Sequence, residues 1–237
     1  MAGTLPTQEG KVMPLLGVRE ALYARYACRD FKPQPVPQEI LDRVLEAALR
    51  APSTANTQPW EIVVATGAPL HHIREAFLAN YQKNLPPHPD IPASFTWPPA
   101  LKKRSDEIRE FHLKKTGAFP AESAEEVWHH WLRNFEFFGA PAVAYLCMDK
   151  SLGFWSIFDL GLLSQSLMLE AKEWGLDSIP ALMLVAYPDV IREELSIPKH
   201  FSVVFGIGVG YGTEQSRPNG FPSPRRSLSE AVRYEGF

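Results

Sequence analysis

Ala51-Pro52-Ser53-Thr54-Ala55-Asn56-Thr57-Gln58-Pro59-Trp60 sets small hydroxyls and amides between two prolines. It follows a helical pattern and precedes an extended one, so it offers donors and acceptors on a stiff backbone. Taken alone it is also an ordinary connector, because Ser, Thr, Asn and Pro favour turns. A companion stretch, Ala24-Arg25-Tyr26-Ala27-Cys28-Arg29-Asp30-Phe31, closes the preceding helical pattern. Arg25 and Arg29 are four apart and share a helix face. Taken alone they are cations placed favourably at a helix C-terminus.

Working outward, residues 14–26 read as a helix with Val18, Leu22 and Tyr26 on one apolar stripe. Residues 37–50 form a clearer one. Pro37 suits its first turn, Glu39 favours its N-terminal dipole, and Ile40, Leu41, Val44, Leu45 and Ala48 make the face to be buried. Trp60 to Ala65 predicts a strand and 69–84 a helix. Residues 85–99 hold six of the 22 prolines and read as an irregular loop, since each proline removes a backbone donor and fixes φ. Helices follow over 100–117 and, rich in aromatics, over 122–138. Ala142 to Met148 is a buried strand. A long helix over 155–174 stops at Gly175. Ile179 to Val185 is extended, Pro188 to Leu195 a short helix, Phe201 to Tyr211 a strand, and the last twenty residues an arm. Few strands mixed with many helices predict an α+β or α/β sheet covered by helices. No linker divides the chain, so residues 1–237 form a single domain.

Composition excludes several classes. With 24 Lys and Arg against 27 Asp and Glu the net charge is −3, and no basic face is left to neutralise a nucleic-acid backbone. No apolar run approaches the ~18 residues of a membrane span, and the N-terminus lacks a signal-peptide core. The two cysteines, Cys28 and Cys147, have no CxxC spacing and no histidine at ligand distance, so neither a disulfide scaffold nor a zinc site is expected. The expected compartment is the cytoplasm.

Gly206, Gly208, Gly210 and Gly212 invite a dinucleotide-loop reading, but they alternate strictly and position 211 is Tyr. Alternation puts all four on one strand face, open to close approach by another backbone or a flat ligand. His71-His72 and His129-His130 are adjacent and lack HExxH spacing, so no metal is expected. Asp149, Glu170 and Asp177 have no evident partner for acid–base work.

The two opening stretches in order, Arg-Tyr-Ala-x-Arg-x-Phe and then Ala-Pro-Ser-x-x-Asn-x-Gln-Pro-Trp, resemble the start of the FMN-dependent nitroreductase family. The resemblance continues through Gln165 in the helix Leu160 to Ala171, Trp174-Gly175-Leu176, Asp177-Ser178-Ile179-Pro180, Tyr187-Pro188, Leu195-Ser196-Ile197-Pro198, the glycine strand, and Ser223-Pro224-Arg225-Arg226-Ser227-Leu228. It covers roughly 15–67 and 139–232. It implies a nitroreductase-like α+β fold with a central mixed or antiparallel sheet covered by helices. It also implies a homodimer with a domain-swapped C-terminal arm and FMN held between subunits. NAD(P)H would supply hydride, and a nitroaromatic or quinone-like small aromatic acceptor would receive it by a ping-pong mechanism. The protein itself need supply no acid or base. Other chemistry on the same fold, such as reductive dehalogenation, heterocycle oxidation or flavin cleavage, stays open, as does flavin binding without turnover.

By the same resemblance, Arg25, Tyr26, Ala27 and Arg29 contact the phosphate, ribityl chain and pyrimidine edge, with Arg25 and Arg225 on the phosphate and Arg29 on the N1–C2=O edge. Pro52, Ser53, Thr54 and Asn56 come from the other subunit. Pro180, Ala181, Leu182 and Met183 pass the flavin, and the backbone N–H of Leu182 or Met183 faces N5. Ala27 stands where many members have Ser, and Ser223 where many carry a cation. Residues 85–138 do not align with the short family core. They are expected to form an insertion-like lid whose Trp97 and Arg104 bind substrate, within a set that includes Phe95, Phe111, Phe119, Trp128 and Trp131.

Overall fold

The computed structural model describes residues 16–92, 96–116, 131–214, 219 and 222–236. Its strands are β1 (Glu61–Thr66), β2 (Ala142–Asp149), β3 (Asp177–Ala181) and β4 (Phe201–Gly210). They form one sheet in the order β1-β2-β4-β3, and every pairing is antiparallel. The helices are α1 (Val18–Ala24), α2 (Gln38–Ala48), α3 (Gly67–Gln82), α4 (Pro99–Thr116), α5 (131–135), α6 (Phe154–Glu173), α7 (Pro188–Leu195) and α8 (Leu228–Ala231).

β2 reads as an unbroken apolar run because both its faces are covered. Ala142, Ala144, Leu146 and Met148 share a core with Leu41, Val44 and Ala48 of α2 and Leu160, Leu163 and Leu167 of α6. Val143, Tyr145 and Cys147 point the other way, into a core with Leu70, Ile73 and Phe77 of α3 and Ile191 of α7. A third, smaller cluster of Cys28, Phe31, Phe138, Ala140 and Ile179 fastens the chain after α1 to the sheet.

Several expected elements end differently. α1 buries only Ala21, and Val18 and Leu22 of its expected stripe are exposed. The extended stretch after Ile179 ends at Ala181, and Leu182–Val185 is a 3-10 turn. The aromatic helix expected over 122–138 lies partly outside the described residues. Within them it ends at 135, and Phe137, Phe138 and Gly139 take left-handed backbone that turns the chain into β2. The glycine face of β4 is closed by the chain itself: a Cβ at Gly206 would lie 2.6 Å from Leu184 Cβ, and one at Gly210 would lie 2.5 Å from Pro141 Cδ.

The proline-rich loop is irregular but fastened at its start. The Tyr187 hydroxyl donates to Leu85 O at 2.8 Å, and the His88 N–H donates to Ala186 O at 2.9 Å. Asp90 pairs with Arg192 and accepts the Val203 N–H at 2.7 Å. Phe95, Phe119 and Trp128 lie outside the described residues.

Candidate functional site

The segment after α1 lies along the outer edge of β3. Ala27 bridges to Ser178, and the Cys28 N–H donates to Ser178 O at 3.0 Å. Beyond the end of β4, Phe31 bridges to Gly212 and the Lys32 N–H donates to Tyr211 O at 2.8 Å. The parallel bridge puts Ala27 beside Ser178 and Tyr26 beside Asp177, with Arg25 one residue before and Arg29 two residues after, toward Pro180 and Ala181. Next come Leu182 and Met183, whose N–H groups open a 3-10 turn and so lack acceptors within it.

Two cations of this segment have no carboxylate partner among the described residues. Burial and the nearby Arg225 guanidinium both lower the pKa of Arg25, so two like charges converge from α1 and from the C-terminal arm. Arg29 is likewise lowered by burial, and its Nη1 donates only to Ala27 O, at 3.3 Å. A desolvated guanidinium without an anion is costly, and a bound anion relieves that cost. Arg225 otherwise donates to Ser223 O and Pro224 O of its own arm. Burial pushes the Cys28 thiol up to about 12, which keeps it a neutral packing group.

Pro52, Ser53, Thr54 and Asn56 lie elsewhere. Their loop is exposed and strained, with Ala55, Asn56 and Gln58 all at positive φ. It is clamped by Asp159 of α6, a buried carboxylate that accepts from Thr54 N at 3.1 Å and from Thr54 Oγ1 at 3.3 Å. Ser53 Oγ accepts the Gln58 N–H at 2.9 Å. The Arg25–Arg29 segment meets the same helix at its other end, through Lys172 and Asp177. Asp159 and Lys172 are thirteen residues apart on α6, about 20 Å. One chain therefore carries the two halves of the expected site at opposite ends of one helix.

The expected substrate residues sit on the third part of the molecule. Trp97 is exposed at the entry to α4. On α4, Lys102 pairs with Asp106 and Lys103 with Glu107, which leaves Arg104. The Glu230 carboxyl of α8 is held below its ordinary range by hydrogen bonds with Ser227, and then by the charges of Arg226 and Arg104.

The sequence model of the Nitroreductase family matches residues 22–211. The chain belongs to the nitroreductase family. Nitroreductase NfnB of Mycolicibacterium smegmatis is 30% identical, over 98% of this chain and 97% of its own. A 4-nitrobenzoate reductase of Pseudomonas putida is 28% identical, over 90% and 93% respectively. The crystal structure of the FMN-dependent nitroreductase NfnB from Mycobacterium smegmatis in complex with NADPH matches with a TM-score of 0.86 at 29% identity, covering 92% of this chain and 97% of that one.

In this nitroreductase-family chain three residues that support the site were not read from the sequence. Asn219, buried, accepts the Arg29 N–H at 2.8 Å and donates to Asp30 O at 2.6 Å, tying the arm to the first motif. Standing between Pro218 and Gly220, it looks like a turn residue. Arg133 bonds Asp30 Oδ1 at 3.2 Å and Glu136 at 3.0 Å, and it reaches Arg29 O and Phe138 O at 3.4 Å each. No spacing signals it. Asp159 did leave a signal: it is the sole charge in the apolar stretch 154–169, and a buried carboxylate demands hydrogen-bond donors.

Proposed function

We propose that the chain is an FMN-dependent oxidoreductase of the cytoplasm that passes hydride from NAD(P)H to nitroaromatic or quinone-like acceptors, working as a homodimer. The observation that carries this is the charge of Arg225 acting on Arg25, with no carboxylate partner for either among the described residues, where the chain bridges to β3. That donor set fits a phosphate monoester, whose charge and oxygens match two guanidinium forks. Arg29, desolvated and unpaired, fits the electron-rich edge of an isoalloxazine and would raise its potential. Ala27 offers no hydroxyl there, so backbone groups of this segment would carry the polar contacts. Leu182 and Met183 supply the N–H donors that Pro180 lacks.

Bound FMN would supply the redox chemistry, alternating between donor and acceptor in ping-pong order. The residues here hold and orient the ring, and no acid–base pair is needed because water can provide protons. The relatives named above support nitroaromatic acceptors. Separation of the two half-sites along α6 supports the dimer: Pro52, Ser53, Thr54 and Asn56 would serve the partner's flavin. So does the unburied apolar surface of α1 and of Phe154, Trp155 and Phe158. The insertion-like segment 85–138 would form the lid, with Trp97 and Arg104 toward substrate, and its start is fastened at Leu85, His88 and Asp90.

The purified protein should be yellow and should release FMN on denaturation. It should oxidise NAD(P)H far faster with 4-nitrobenzoate or nitrobenzene present than with oxygen alone. Release of FAD, or absence of flavin affinity, would overturn the proposal.

A further inference from the structure

Arg25 closes a helix with almost nothing holding it down. Of α1 only Ala21 is buried, so packing within the chain does little to place its exit. Polar clips do that work at both ends. At the entry, the Leu16 N–H donates to Glu173 Oε2 at 2.7 Å. At the exit, the Tyr26 hydroxyl donates to Asp177 Oδ2 at 3.2 Å, and Lys172 Nζ donates to Asp177 Oδ1 at 2.6 Å while lying 5.5 Å from the Tyr26 ring centroid. Lys172 and Asp177 expose only 20% and 12% of their side chains, so water screens the pair poorly.

The fold builds this arrangement deliberately. α6 ends in a Schellman turn at Gly175, with Gly175 N–H to Lys172 O at 3.1 Å and Leu176 N–H to Ala171 O at 2.9 Å, which swings Asp177 back onto Lys172. Gly212 leaves the space the network fills: a Cβ there would overlap Asp177 Oδ2 and lie 3.0 Å from Tyr26 Oη.

We propose that Lys172, Asp177 and Tyr26 form a positioning network that fixes where Arg25 presents its guanidinium, so that phosphate affinity depends on Asp177, which does not itself bind the phosphate. The effect is confined to Arg25. From Ala27 onward the chain has independent anchors in Ser178, Asn219, Arg133 and the Phe31 cluster. Among the described residues upstream of Tyr26, the other anchors are the buried Ala21 and the Leu16 clip. Loosening Tyr26 therefore frees the phosphate end of the site and leaves the ring end in place.

This rests on the FMN reading above, and FMN against riboflavin separates the two ideas, because riboflavin lacks the phosphate. In titrations of the full-length apoprotein, Asp177→Ala should weaken FMN about tenfold, and Tyr26→Phe, which removes one hydroxyl, by less. Riboflavin affinity should stay unchanged in Asp177→Ala. The double variant should be no worse than Asp177→Ala, since the hydroxyl acts through the carboxylate. Gly212→Ala should copy the FMN loss in the wild-type background and add little once Asp177 is Ala. Equal weakening of both flavins would make the network mere scaffold and overturn the proposal, as would unchanged FMN affinity in Asp177→Ala. A wild-type protein with no preference for FMN over riboflavin would remove the phosphate site itself.

Discussion

α1 and α2 both carry apolar residues at helical spacing, yet they meet opposite fates. In α2, Leu41, Val44 and Ala48 are buried against α6 and the inner face of β2. In α1, Val18 is 73% exposed and Tyr23 76%, and Ala21 alone is covered. α6 repeats the contrast within one helix: Leu160, Leu163 and Leu167 are core residues, whereas Phe154 and Trp155 stand 72% and 68% exposed. The difference teaches that an apolar stripe states a need for cover without saying which chain provides it. Where the chain's own core supplies the cover, packing sets position. Where it does not, as at α1, hydrogen bonds and ion pairs set it, and the apolar face stays exposed, available to the proposed dimer.

The sharpest way to break this contrast is to charge the exposed end of α6. Phe158→Arg should cost dimerisation about 3–5 kcal/mol, the penalty for burying an unpaired charge. Sedimentation should then show monomers that have lost FMN, and a dimer unaffected by the change would place the interface elsewhere. Leu163→Ala, five residues on but inside the core, should lower unfolding free energy by roughly 3 kcal/mol in urea titration, through lost burial and a cavity. Arg25→Ala should spare folding and weaken FMN binding by about 1.5–3 kcal/mol, the range for hydrogen bonds to charged groups. Flavin fluorescence titration beside a thermal melt distinguishes the two kinds of loss. The smallest effect belongs to Leu22→Ala, which should shift the unfolding of the isolated chain by less than about 0.5 kcal/mol. A larger shift would mean that α1 is packed within its own chain after all.

Much of the candidate site was legible as residue type and order. Arg25, Arg29, Pro180 and Arg225 enter the candidate site through the order of the family-like motifs; taken alone, Arg25 and Arg29 read as ordinary cations at a helix end. Tyr26 was legible as a position but not as a contact, since its hydroxyl meets a carboxylate 151 residues away. Asp177 had no partner in sequence because its partners are gathered by the turn at Gly175. Trp97 and Arg104 were chosen for their chemistry.

The sequence by itself determined the elements whose causes are local. Pro188 to Leu195 is a helix with its proline in the first turn, the run after Ala142 is a doubly covered strand, and Gly175, at φ 71°, stops α6. These follow from backbone dihedrals, side-chain period and cap chemistry within a few residues. Tertiary structure alone decided which apolar faces the chain buries and that the two proposed half-sites meet α6 about 20 Å apart. It also brought the Tyr26 hydroxyl and the Lys172 ammonium onto the Asp177 carboxylate, next in the chain to Arg25. Such features depend on where distant segments meet, and that is fixed by packing of the whole core and by long-range hydrogen bonds, which no local spacing encodes.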